Sequence, residues 1–168
     1  MNAPLPLDIT RKTAAQAYDQ VARVSNEVAG RLAVRLAAET AGEVRFTPAD
    51  RGRYATDASI YQQMPVGVFV PRTSADVALA IDICRDLGVP IVPRGAGTSQ
   101  CGQTVGAGLV IDHAKYLRNV LSVDEAARTA TVEPGIVLDH LNAALRKSGL
   151  WYPVDVSTSA QATLGGMA

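Results

Sequence analysis

Apolar positions early in the chain recur at three- and four-residue intervals. Tyr18, Val21, Val28, Leu32 and Leu36 keep close to the spacing of one helical face, which predicts an amphipathic helix from about Thr13 to Ala41. Gly30 weakens this helix, and Gly42 is its expected stop. The pattern then changes. Glu43 to Phe46 reads as a short strand, Thr47 to Arg53 as a turn or single helical turn, and Val66 to Val70 as a β-branched and aromatic strand closed by Pro71. Thr73 followed by Asp76 has the form of a helix-start capping pair. The helix it opens is expected to bury Val77, Ala80, Ile81, Cys84 and Leu87, and to end at Gly88.

Val89 to Pro93 and Leu109 to Asp112 are predicted strands, separated by the glycine-rich stretch Arg94 to Gly108. Asn119 to Val123 and Thr129 to Glu133 read as a pair joined by a polar turn at Asp124 to Arg128. Pro134-Gly135 breaks the chain before a helix with Val137 or Leu138, Leu141, Ala144 and Leu145 on one face, stopped by Gly149. Leu150 to Tyr152 starts a last expected strand, and Pro153 to Thr163 is a polar loop. Leu164 to Ala168 reads as a glycine-containing turn with no closing element, so the chain is expected to be part of a longer polypeptide. Together the elements predict an α+β fold: a small mixed sheet flanked by helices.

Composition narrows the function classes. Sixteen basic residues balance sixteen acidic ones, and they are scattered, so no cluster exists to neutralise a nucleic-acid backbone. The apolar runs are too short to span a bilayer, and Met1 to Asp8 lacks the form of a signal peptide. A cytoplasmic protein, or one peripheral to the inner membrane, is the expectation. Two cysteines and two histidines offer no usual zinc spacing and no disulfide framework.

The candidate chemistry lies in the loop. Five glycines fall between Pro93 and Gly108, which allows positive φ and close approach of a ligand to bare backbone. Successive amides in such turns converge on anions. Thr98 and Ser99 add hydroxyls, and Arg94 is expected to bring a cation to a phosphate. Two familiar phosphate loops fail on particular residues. The dinucleotide fingerprint needs a third glycine where Gln100 stands, and the P-loop needs a lysine where Gln103 stands.

A third design fits. Residues from about Tyr54 onward resemble the flavin domain shared by vanillyl-alcohol oxidase-like and D-lactate dehydrogenase-like enzymes, known as the FAD-binding PCMH type. The resemblance is carried by Val66 to Pro71, by Pro93-Arg94-Gly95-Ala96-Gly97-Thr98-Ser99 with Gly102-Gln103, and by Val132-Glu133-Pro134-Gly135. It continues through Tyr152-Pro153-Val154-Asp155, Ser157-Thr158-Ser159 and Ala162-Thr163-Leu164-Gly165-Gly166. The wording of Ser99 to Gln103 is most similar to large bacterial members fused to an iron–sulfur module, which oxidise D-2-hydroxyglutarate or related acids.

The resemblance implies an incomplete domain: residues 1–45 form a helical segment, and 46–168 the first flavin subdomain with the start of the second. It implies that Arg94 to Ser99 wrap the FAD pyrophosphate through main-chain amides. Pro153, Asp155, Ser157, Thr158 and Ser159, with Ala162, Thr163, Gly165 and Gly166, would line the flavin and its diphosphate from the other side. Pro93, Gly102, Gln103, Pro134 and Gly135 complete the expected set. Some relatives attach the flavin through a histidine where Thr98 stands, so FAD is expected to be non-covalent here. The implied activity is oxidation of a D-2-hydroxy acid, with electrons passed to an iron–sulfur centre, quinone or cytochrome. The acid/base residues and the missing C-terminal half of the polypeptide are expected beyond residue 168. A non-catalytic flavin- or nucleotide-binding module is the alternative. Outside the loop the readings are structural: Cys84 as core, Cys101 and His113 as loop residues, His140 as a solvated or capping side chain, and Trp151 and Tyr152 as packing.

Overall fold

The computed structural model describes residues 24–168. Helix α1 (Asn26–Glu39) opens at Ser25, whose side chain accepts the Val28 amide. It closes at Thr40, whose amide and hydroxyl both donate to the Leu36 carbonyl at 3.2 and 2.7 Å. The helix therefore stops short of Gly42. Residues 13–23 of the expected helix, with Tyr18 and Val21, lie outside the described residues.

Strand β1 (Glu43–Arg45) and the short helix α2 (Pro48–Arg53) follow, the latter capped by Thr47. Then come β2 (Gly67–Val70), α3 (Ser74–Leu87), β3 (Ile91–Arg94) and β4 (Leu109–Asp112). The capping pair forms as the sequence suggests: Thr73 and Asp76 hydrogen-bond reciprocally across the first turn of α3. Asp76 does more than cap. Its carboxylate also accepts the amides of Ala41 and Arg72, at 2.9 and 3.0 Å, and so ties the end of α1 to the start of α3. Burial pushes its pKa up, but these bonds outweigh that and hold it below the usual range. At the other end Gly88 takes the left-handed conformation, and Val89 donates to the Cys84 carbonyl. That bond draws Val89 into the helix end, so β3 begins at Ile91 instead of Val89.

The four strands order as β1-β2-β4-β3, with β1 antiparallel to β2 and the other pairs parallel. Successive residues of β2 point to opposite faces, and all four are buried, so both faces are covered. On one face Phe69, Leu109 and Ile111 pack with Leu32 and Leu36 of α1 and Ala80, Ile83 and Cys84 of α3. On the other, Val68, Val70 and Val110 meet Tyr54, Val92 and Tyr116. The expected stripe on α3 is corrected at one position. Ile81 is 43% exposed and Ile83 is buried, because the helix turns Ile83 towards α1 and the sheet. The expected boundary at 45/46 falls between β1 and α2, and α1 packs across it in the same core.

Strands β5 (Val120–Asp124) and β6 (Thr129–Val132) form a separate antiparallel hairpin with Arg128 left-handed in its turn. Helix α4 (Leu138–Leu145) packs beneath it through Leu138, Leu141 and Leu145; Ala144 is exposed. The expected strand at Leu150–Tyr152 is absent. Its donors go elsewhere: Leu150 N–H to the Leu145 carbonyl, and Tyr152 N–H to the Asn142 side chain at 2.8 Å. Trp151 is 66% exposed and does not pack as expected, whereas Tyr152 joins the α4 cluster. The chain also closes on a short helix, α5 (Leu164–Met167), where the sequence predicts only a turn. Leu164 packs into the α4 cluster, and its amide donates to Ile136.

Candidate functional site

Strands β3 and β4 are parallel neighbours, so their connection must travel back along the sheet and cannot be a tight hairpin. Elsewhere a helix usually makes that crossing. Here the glycine loop makes it, leaving the carboxyl end of β3 at Arg94. In sheets of this kind ligands settle beyond the carboxyl ends of the parallel strands.

The loop lines a cleft of about 370 Å³. Gly95, Ala96, Gly97, Thr98, Ser99, Gln100, Cys101, Gln103 and Thr104 form one wall, and Ala162, Thr163, Gly166 and Met167 the other. Segments some sixty residues apart in sequence are thus brought face to face. The second wall is fixed by its own bonds. Ala162 donates to Thr158 at 2.7 Å and its carbonyl accepts from Leu138, while Gly165 donates to Pro134 at 2.8 Å. Gly165 is obligatory here, since a Cβ would lie 2.5 Å from Pro134 Cβ.

Two features mark the cleft as a place for an anion. Among the described residues, the backbone N–H groups of Ala96, Gly97, Thr98 and Ser99 meet no protein acceptor. Across from them Thr163 is 3% exposed, and its Oγ1 is buried without a hydrogen-bond partner. A buried hydroxyl left unpaired is costly unless a ligand completes it. A Cβ on Gly95 would collide with that same hydroxyl, and Gly97 holds φ at +72°. Loop amides, a waiting hydroxyl and glycines that only bare backbone can replace fit the diphosphate of a dinucleotide.

Nine of the expected residues line this cleft: Gly95, Ala96, Gly97, Thr98, Ser99, Gln103, Ala162, Thr163 and Gly166. Gln100, Cys101, Thr104 and Met167 join them without having been anticipated; only their nearness to the loop or to Gly166 signalled them. Others stand behind it. Gly135 packs against the His113 and Leu117 carbonyls, with no room for a Cβ, and Gly102, at φ +77°, sits under the Tyr61 ring. Pro93 lies on β3. Pro153 borders a larger hollow of about 1030 Å³ between the hairpin, α4 and Trp151. Asp155 lies just before the turn of Ser157, Thr158 and Ser159 that supports Ala162, where the Ser159 carbonyl accepts from Asp139 at the start of α4.

Arg94 is the main correction. Its guanidinium does not line the cleft. It lies behind the loop over the Tyr54 ring and donates to three backbone carbonyls: Thr56 at 2.9 Å, Thr104 at 3.2 Å and Tyr54 at 3.5 Å. Among the described residues, no charged side chain lines the cleft. Ser99 likewise spends its hydroxyl inside the loop, accepting the Cys101 amide and bonding Gln103. Beside this cluster Tyr54 donates to Asp112 at 2.7 Å, and burial and that carboxylate push its phenol pKa up.

Comparison with known proteins agrees with this geometry. Residues 65–168 match the FAD binding domain family, and the chain belongs to it. The fold and motif resemblance drawn from the sequence therefore holds. D-2-hydroxyglutarate dehydrogenase of Pantoea ananatis is 38% identical over 129 residues, 75% of this chain and 13% of that protein. Glycolate oxidase subunit GlcD of Bacillus subtilis is 38% identical over 133 residues, 76% of this chain and 28% of that protein. The chain thus spans well under a third of either relative. An alkyldihydroxyacetonephosphate synthase structure shares the fold, with a TM-score of 0.73 at 21% identity over 82% of this chain and 28% of that one. Among the described residues no helix is long and apolar enough to cross a membrane.

Proposed function

We propose that this chain supplies the diphosphate-binding wall of the FAD site in an oxidoreductase acting on a D-2-hydroxy acid. The observation that carries the reading is the pairing of unspent amides at Ala96 to Ser99 with the unpartnered Thr163 hydroxyl across one cleft. The names of the two relatives support the substrate class. Bound flavin supplies the redox chemistry, and the protein supplies binding, orientation and electrostatics.

In this reading Gly95 to Ser99 donate main-chain N–H groups to the diphosphate, and Thr163 donates its hydroxyl from the facing wall. Gln103, Ala162 and Gly166 complete the lining, while Pro134, Gly135 and Gly165 hold that wall in place. Pro93 and Gly102 anchor the loop at its strand and at Tyr61. Pro153, Asp155, Ser157, Thr158 and Ser159 flank the flavin side. Thr98 offers no imidazole for a covalent link, so retention is non-covalent. Residues 46–168 act as the flavin-binding unit, and α1 buttresses it through Leu32 and Leu36. The hydroxy-acid site, the base and the electron acceptor (an iron–sulfur centre, a quinone or a cytochrome) belong to other parts of the protein.

The full-length gene product is expected to purify with a flavin absorption spectrum that bleaches on adding D-lactate, glycolate or D-2-hydroxyglutarate. A protein that neither carries nor takes up FAD would overturn the site. One that carries FAD but bleaches with none of these acids would overturn the substrate class.

A further inference from the structure

The segment before β2 and the glycine loop are joined by bonds of opposite sign that meet on one residue. Thr104, at the end of the cleft wall, gives its hydroxyl to the Asp57 carboxylate at 2.9 Å and its amide to the same oxygen at 3.4 Å. Its carbonyl accepts from Arg94 at 3.2 Å. Asp57 is in turn braced by the Ser59 amide at 2.9 Å, and Arg94 by the Thr56 carbonyl at 2.9 Å. One further bond closes the bracket: the Ala58 amide donates to the Gly97 carbonyl at 3.0 Å, near the start of the loop. Every polar backbone group of Thr104 is thus held by a charged side chain, and neither charged side chain lines the cleft.

We propose that Asp57 and Arg94 are positioning residues for the flavin diphosphate: a clamp of opposite charges on Thr104 that fixes the loop before the anion arrives. The inference rests on the FAD reading above and adds residues that no contact with the ligand would identify. A glycine loop left free would have to order its own backbone on binding, at a cost in conformational entropy. A loop held at Gly97 by Ala58 and at Thr104 by Asp57 and Arg94 is ordered before the ligand binds. Arg94 acts twice in this scheme. Its planar fork spans three carbonyls, which a lysine ammonium on a flexible stem cannot match. Its charge also sits directly beside Gly97, where an added Cβ would lie 2.6 Å from Arg94 Nη2. The cation therefore favours an anion over the loop without touching it. Asp57 and Thr56 precede the stretch 65–168 that matches the family, so the clamp lies partly outside the matched domain.

The test measures FAD affinity of the full-length gene product by flavin fluorescence for the wild type, Thr104→Val, Thr104→Ser, Asp57→Asn and Arg94→Lys. Thr104→Val keeps the shape and removes the hydroxyl bond, and should weaken FAD about tenfold, the usual effect of losing a hydrogen bond to a charged group. Thr104→Ser should restore affinity to within about twofold, a rescue that a purely space-filling role would not produce. Arg94→Lys should weaken FAD about tenfold although the charge is kept. Asp57→Asn combined with Thr104→Val should cost less than the two single effects together, because both act on the Asp57–Thr104 contact. If the wild type binds FAD and Thr104→Val and Arg94→Lys bind it equally well, the clamp is overturned and the flavin site stands. If the wild type binds no FAD, the site and the clamp fall together.

Discussion

Gly97→Ala separates two demands that the loop makes on one residue. The backbone at Gly97 holds φ at +72°, a region that costs an L-residue about 1–2 kcal/mol. The new methyl would also lie 2.6 Å from Arg94 Nη2 and 3.0 Å from its Cζ. A flexible side-chain tip would swing aside at little cost, but this one is bound to three carbonyls. Displacing it forfeits at least the bond from Nη2 to Thr56, about 1.5–3 kcal/mol for a charged donor. The combined destabilisation is about 3–5 kcal/mol. Gly88→Ala is the matched control, with φ +64° and nothing within 4 Å of the added carbon. It should cost only the backbone part, about 1–2 kcal/mol, and leave the cleft untouched. Urea denaturation of both variants measures the stability difference, and flavin fluorescence measures the consequence for FAD. Gly97→Ala is expected to lose FAD affinity by at least about tenfold, and Gly88→Ala to keep it. Equal stability losses with unchanged FAD affinity in both would refute the claim that Gly97 is chosen for the space above Arg94.

Thr163→Val, an isosteric change, should leave the ligand-free fold at least as stable as wild type, because it removes a buried hydroxyl that has no partner. FAD affinity should nonetheless fall roughly tenfold; calorimetry showing unchanged affinity would remove Thr163 from the binding set. Glu43 accepts from Lys115, Tyr116 and Arg45, which hold its carboxyl at about 2, below the ordinary 4.5. A depressed folded-state pKa gives stabilisation that is full above about 4.5 and is lost as pH falls towards about 2. The stability gap between wild type and Glu43→Gln should close across that interval in denaturant titrations; a gap independent of pH would contradict the assignment. Cys101 is exposed on the cleft, whereas Cys84 is buried, with burial pushing its thiol up to about 11. Iodoacetamide should therefore label Cys101 first and Cys84 only on unfolding, and bound FAD should slow the Cys101 reaction, as peptide mass spectrometry will report.

Most of the fold was legible because it is written in local signals. The Thr73–Asp76 capping box, the Gly88 stop, the polar turn at Asp124 to Arg128 and the β-branched runs at Val66 to Val70 and Leu109 to Asp112 each state their structure within a few residues. The misses have tertiary causes. Ile81 and Ile83 both suit an apolar stripe, and only the position of α1 decides that Ile83 faces inward. Leu150 to Tyr152 has strand composition, but Asn142 and Leu145 claim its amides. The closing helix α5 is too short for any periodicity to show, and it is held by Pro134 and Ile136, distant in sequence.

The site divides along the same line. Glycine spacing marks the loop as a place where backbone can approach a ligand, whereas its pairing with the Ala162 to Gly166 turn was implied only by the family resemblance. Side-chain direction carries no such mark. Arg94 at a strand end beside an anion nest invites the reading of a phosphate contact, yet its guanidinium is fully engaged by carbonyls behind the loop. A cation satisfied by its own protein still contributes field to a cleft that has no charged lining, and in a partly dry site that field falls off slowly. An anion held there would meet neutral amides in front and a fixed charge behind, so its charge would be met without a flexible side chain having to be ordered around it. It follows that the cleft depends on residues that never reach it. Tyr54, Thr56 and Asp57 shape the loop from upstream of the matched domain, and a change there should alter flavin affinity as surely as a change in the glycines.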